Sequence, residues 1–203
     1  MIEYIQFPRY SIFLIPSKSF FIDLNLFYKN NNLNFENLSQ SIYGIHFTVK
    51  APFYLSHIYS ENDLIKKFNS LKKNKLQKIF KESYEVKGFG KFNNNLILEL
   101  DSDKEFNFLI NDLMRTFDLY RKTLDNDEIE KDLRRFDNLS EKELMYYQIW
   151  GYPYYFECSK HHISLTNFDT AIKYNQFQPI KYDALKLLKQ EKAYEKFIDL
   201  SIL

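Results

Sequence analysis

Apolar and polar positions set the reading of this chain. Tyr10, Ile12 and Leu14 alternate with Ser11, Phe13 and Ile15 before a closing proline, so Arg9–Pro16 predicts a first β-strand. Phe20–Tyr28 is apolar enough for a helix, which the run Asn30-Asn31-Asn32 breaks. Gly44–Leu55 predicts a second strand. From Glu61 to Lys81, Leu64, Ile65, Phe68, Leu71, Leu76, Ile79 and Phe80 recur near helical spacing with lysines between them. That spacing predicts one amphipathic helix with a solvated lysine face. Tyr84–Phe92 and Leu96–Leu100 form a hairpin around Asn93-Asn94-Asn95, because Asn tolerates the left-handed backbone of a tight turn. A helical period returns over Phe106–Arg121. The charged stretch Asp125–Trp150 predicts an insert of one or two helices, with Ser140 and Glu143 as a capping box. Lys160–Thr166 predicts a further strand, and Tyr182–Lys189 with Glu195–Ile202 a closing hairpin around Glu191–Ala193.

This order gives an α+β fold in one bilobal domain over residues 1–203, with antiparallel sheets, helices outside and a cleft between. Composition narrows the functions open to it. With 203 residues, 45% hydrophobic and 27% charged, the chain is an ordinary globular sequence. A formal net charge of +1 argues against a long nucleic-acid footprint, which normally brings a basic excess. The 20 Phe and 16 Tyr are spread along the chain and read as core and cleft lining. One cysteine, Cys158, excludes an internal disulfide and suits a reducing compartment. No basic leader precedes a long apolar run, and none approaches the ~18 apolar residues of a membrane span. The expected location is cytoplasmic, with no membrane partner.

Two of the four histidines stand in matching contexts, His46-Phe47-Thr48-Val49 and His162-Ile163-Ser164-Leu165. Strand alternation puts His46 with Thr48, and His162 with Ser164, on one face; Phe47, Val49, Ile163 and Leu165 take the other. Two imidazoles facing one phosphate can act as general base and general acid, and two hydroxyls can hold its oxygens. A lone His-x-Thr strand carries almost no information; the pair does. Continuing the stripes adds Lys50 as a phosphate ligand, against a bland reading as a strand-end charge, and Thr166 beside it. Tyr43 and Tyr152 are weaker candidates for touching a sugar or base, and Arg9 for a second phosphate. His57 lacks a hydroxyl two residues on and reads as structural or exposed. Cys158, His161 and His162 are too few, and too opposed in direction, for a metal site, so no metal or cofactor is expected. Gly88-Phe89-Gly90 lacks the lysine of a phosphate loop and reads as a bulge or a close-packing point.

The paired motifs resemble those of the 2H phosphoesterase superfamily, named for its two histidine motifs. Within it the chain is similar to a bacterial branch, formerly of unknown function, associated with phosphonate metabolism. Four stretches carry this: Arg9-Tyr10-Ser11-Ile12-Phe13, Tyr43-Gly44-Ile45-His46-Phe47-Thr48-Val49-Lys50-Ala51-Pro52-Phe53, Trp150-Gly151-Tyr152-Pro153-Tyr154 and His162-Ile163-Ser164-Leu165-Thr166. Ser164 departs from the usual threonine, and His161 from the usual aromatic residue. The resemblance implies two lobes with pseudo-twofold symmetry, each giving one histidine to a central cleft. It implies a hydrolase of cyclic phosphodiesters on ribose, with a small phosphorylated sugar or nucleotide as substrate. Two alternatives stay open: the same chemistry on a short RNA end, as 2′,3′-cyclic phosphate opening or 2′–5′ ligation, and a nucleotide-binding module without turnover. For the enzyme, one neutral and one protonated imidazole would give a bell-shaped pH profile.

Overall fold

A computed structural model describes residues 8–38, 40–71, 73–136, 138–167, 172–173 and 176–201, and these hold seven strands and seven α-helices. The first strand, β1 (Arg9–Pro16), has the predicted bounds. It is followed by α1 (Lys18–Asn30), whose buried Phe20, Leu24, Phe27 and Tyr28 form one apolar face. A short helix α2 (Gln40–Tyr43) then leads into β2 (Phe47–Tyr54). The expected helix over 61–81 is instead two, α3 (Glu61–Asn69) and α4 (Lys73–Lys81). Asn69 and Ser70 are poor helix interiors, and the Ser70 hydroxyl donates to the Lys67 carbonyl at 2.7 Å, a local bond that competes with helix continuation. A Ser60–Asp63 capping box starts α3.

Strands β3 (Val86–Phe92) and β4 (Asn95–Leu100) form the expected hairpin, turning on Asn93 at φ +50°. The register slips at Gly88, the bulge expected there. Helix α5 (Lys104–Asp118) starts earlier than its apolar period, because Asp103 caps it by accepting from the Phe106 N–H at 2.6 Å. The insert contributes α6 (Asn126–Leu133) and α7 (Glu141–Trp150), the latter opened by the predicted Ser140–Glu143 box. Last come β5 (His162–Asn167), β6 (Tyr182–Gln190) and a β7 of two residues (Ile198–Asp199), so the closing hairpin is wider at its turn than expected.

Two antiparallel sheets result, ordered β2-β1-β6-β7 and β3-β4-β5. The strands bearing the two motifs, β2 and β5, are edges of different sheets. A single core cluster takes in Tyr10, Ile12 and Leu14 of β1, Val49 of β2, Leu98 of β4, Ile163 and Leu165 of β5, and Leu113 and Phe117 of α5. Phe47, Val49, Ile163 and Leu165 are 3% exposed or less, as alternation requires. Fully burying such a side chain contributes roughly 1.5–3 kcal/mol. The Tyr28 hydroxyl donates to the Leu165 carbonyl at 2.8 Å and ties α1 to β5. Among the described residues no helix is long and apolar enough to cross a membrane.

Candidate active site

Each histidine is held by the backbone just upstream of it, His46 immediately before β2 and His162 at the first residue of β5. After α2, Gly44 takes φ +72°, and His46 folds back so that its Nδ1 lies 2.7 Å from the Gly44 carbonyl oxygen. His162 repeats the arrangement: its Nδ1 lies 2.7 Å from the Lys160 carbonyl. A carbonyl only accepts, so Nδ1 carries the proton in both rings. The neutral imidazoles therefore present Nε2 as the free base. A phenyl ring backs each one. Phe13 of β1 stacks on His46 with centroids 3.6 Å apart and planes 11° apart, and Phe92 of β3 meets His162 at 4.5 Å.

His46, Thr48, His162 and Ser164 line one cavity of about 280 Å³. Tyr43 and Tyr152 line it too, so six of the nine residues singled out in the sequence come together. Burial pulls His46 down to about 4, against the bond to the Gly44 carbonyl, with a smaller push from His162. Burial lowers His162 as well. Both shifts favour the neutral ring.

Lys50, Thr166 and Arg9 do not line the cavity, and backbone register explains the first two. Facing β1, Thr48 pairs with Phe13 but Lys50 pairs with Ile12, so one residue is inserted after the hydroxyl. Facing β4, Ser164 pairs with Ile97 but Thr166 pairs with Leu96, the same slip in the same place. A bulge ends strict alternation, so the inward stripe stops at Thr48 and Ser164. Ser11 supports the first slip by donating from Oγ to the Lys50 carbonyl at 2.8 Å. Lys50 is 1% exposed and pairs with Asp118; burial brings its ammonium down to about 8 against the pull of that carboxylate. Thr166 is fully buried, with no hydrogen-bond partner for its hydroxyl among the described residues. Arg9 bonds Gln190 at 2.6 Å and the Tyr43 hydroxyl at 2.9 Å, so it touches the wall of the cavity from behind.

His161 faces away from the cavity. It is buried, with Nδ1 donating to the Asp101 carbonyl at 2.8 Å and Nε2 2.7 Å from the Tyr182 hydroxyl. It stacks on Phe106, and burial lowers it to about 3. His57 is exposed. Sequence reasoning missed Gln40, Asn93 and Asn95, carboxamides on the same cavity wall, with Gln40 Nε2 donating to Asn95 Oδ1 at 2.8 Å. Asn93 and Asn95 carry a signal only as turn chemistry, and Gln40 carries none. Among the described residues no cluster of three or more His, Cys, Asp and Glu is arranged to hold a metal. A larger cavity, about 500 Å³, lies at the end of α4 and the start of α5. Glu82, Glu85, Asp101, Asp103 and Glu105 wall it with Lys78, a lining with more acidic than basic groups.

A family model described as "Protein of unknown function (DUF1045)" matches residues 48–196, a span that takes in Thr48, His162 and Ser164. No curated protein matches the chain.

Proposed function

We propose that this chain, which belongs to the DUF1045 family of proteins of unknown function, is a two-histidine phosphoesterase that hydrolyses a small ribose-type cyclic phosphodiester. One observation carries the reading: His46, Thr48, His162 and Ser164 share one cavity, with both imidazoles anchored through Nδ1, which leaves Nε2 as the basic nitrogen. The proposal extends to a 2H-type fold in which the two sheets are pseudo-equivalent lobes. The matched Nδ1 bonds, phenyl backing and register slips support that extension.

In this mechanism the anionic diester binds between the imidazoles, and its charge brings a proton onto one Nε2. Thr48 and Ser164 donate to the non-bridging oxygens. The neutral imidazole takes a proton from water as the water oxygen attacks phosphorus. The ring P–O bond breaks, and the protonated imidazole delivers its proton to the departing ribose oxygen. The product is a monoester. Each positioned acid or base contributes roughly 10²–10⁴-fold, and the hydroxyls add charge-assisted hydrogen bonds to the oxygens on which charge builds. The small net charge favours a small substrate over an RNA end.

The test is a panel of 2′,3′-cyclic nucleotides, ribose cyclic phosphates and RNA bearing a 2′,3′-cyclic end, assayed in EDTA. Turnover of the small cyclic esters in chelator is expected, and His46→Ala and His162→Ala should each lose about 10²-fold or more. Activity within tenfold of wild type in either variant would sink the acid–base assignment. Loss in EDTA restored by a divalent ion would replace it with a metal mechanism.

A further inference from the structure

Lys50 and Arg121 are cations near the cavity that do not line it, and both reach the same place, the end of α7. Lys50 Nζ pairs with Asp118 and donates to the Trp150 carbonyl at 3.3 Å. Arg121 grips the same carboxylate, Nε to Oδ1 at 2.8 Å, and donates from a terminal nitrogen to the Ile149 carbonyl at 2.7 Å. The last carbonyls of a helix lack intrahelical donors and carry partial negative charge. Two cations satisfy them here, with Asp118 holding both cations in place. Gly151 then ends the helix at φ +70°, and a Cβ at that position would sit 3.0 Å from Arg121 Cδ.

The other end of the same segment is also fastened to β2. Tyr155 is 5% exposed, its hydroxyl accepts from the Ala51 N–H at 3.0 Å, and its ring lies 5.2 Å from Lys50 Nζ. Residues 150–155 are therefore pinned at both ends against Lys50 and Ala51, immediately downstream of Thr48. Tyr152, midway along the pinned segment, lines the cavity.

We propose that Lys50, Asp118 and Arg121 are positioning residues, an ion cluster that clamps the end of α7 to the first histidine strand and thereby sets Tyr152 as the cavity wall against which the substrate's sugar packs. The inference rests on reading that cavity as the substrate site. It gives Lys50 a role fixed by the register slip: the residue leaves the phosphate face and becomes the link between motif and insert. Removing the clamp leaves both imidazoles anchored to the Gly44 and Lys160 carbonyls and both hydroxyls on their own strands. Substrate binding weakens while the chemical step survives.

Trp150 is the chain's one tryptophan and lies inside the clamp, so its fluorescence reports the segment whether or not the protein turns over. In Lys50→Met, Asp118 keeps Arg121 as its partner and an apolar chain of similar length fills the space. Acrylamide quenching of Trp150 should rise about twofold as the segment opens locally. With 2′,3′-cyclic AMP, KM should rise about 5–10-fold and kcat stay within about twofold, the pattern of lost substrate binding. Tyr155→Phe removes only the other fastening and should give a smaller rise in both quenching and KM; it decides the matter if Lys50→Met does not fold. Unchanged quenching in both variants overturns the clamp. So does a kcat loss of about tenfold at constant KM, which would put Lys50 on the reacting phosphate. Increased quenching in a protein whose wild type opens no cyclic phosphate would uphold the clamp and refute the phosphoesterase reading instead.

Discussion

Filling the cavity with inorganic phosphate should put a proton on its histidine pair. Burial holds His46 at about 4, and its bond to the Gly44 carbonyl only partly offsets this. Raising that imidazole's pKa from there to 7 takes about three units, about 4 kcal/mol at ~1.4 kcal/mol per unit. One negative charge about 4 Å away, at an effective dielectric constant near 20, supplies about 4 kcal/mol. The two figures match, so a bound phosphate is sufficient to charge one ring at pH 7. Because the rings interact, the proton belongs to the pair until each signal is assigned. The assay is NMR of the imidazole Hε1 protons between pH 8 and 5, with and without saturating phosphate. In free protein the His46 signal should stay neutral down to about pH 5. With phosphate, one of the two signals should titrate between about pH 6 and 8. A midpoint near 6.5 for His46 in free protein would refute the burial argument. Two flat signals in the phosphate complex would refute the proton uptake. For catalysis the same argument predicts a kcat/KM without an acid limb above about pH 5 and a bell-shaped kcat, since the first reports the free enzyme and the second the complex.

Thr48→Ala and Ser164→Ala should each lower kcat/KM by about 10–100-fold, the 1.5–3 kcal/mol of a hydrogen bond to a charged oxygen; unchanged kinetics would remove the hydroxyls from the mechanism. His57→Ala, on an exposed turn, should stay within about twofold of wild type in both activity and urea midpoint, since surface changes of this kind cost little. His161 adds to acid lability. Held at about 3 in the fold, it refuses a proton that the unfolded chain accepts near 6.5, so its stability contribution is complete above that pH and is lost as pH falls through the window down to 3. At pH 5.5 this is a slope of about 1.2 kcal/mol per pH unit. In urea titrations His161→Phe should lose that slope; equal slopes would mean that His161 is already protonated in the fold.

Period-two reasoning found β1 to the residue, because β1 pairs on both sides and its apolar pattern has one solution. It also placed His46, Thr48, His162 and Ser164 on one wall and their neighbours in the core. It failed one residue further, at Lys50 and Thr166, since alternation holds only where register is continuous and nothing local in Val49 or Leu165 announces an inserted residue. The split between α3 and α4 was invisible to apolar spacing, which runs on across Ser70. Gln40, Asn93, Asn95 and Phe13 reach the cavity through tertiary packing alone, and two of them had already been explained as turn residues. Short-range pattern carried each half of the site; the assembly of the halves depends on contacts distant in sequence.

Anchoring each imidazole to a carbonyl two residues upstream in its own segment separates two design problems. The tautomer and aim of His46 are fixed by Gly44, and those of His162 by Lys160, with no side chain from the opposite sheet involved. Sliding one sheet against the other alters the span between the rings without spoiling either of them. Under the proposed function, mutations in the packing between sheets would retune the size of the guest while the proton-handling parts travel intact, so selectivity would drift faster than chemistry.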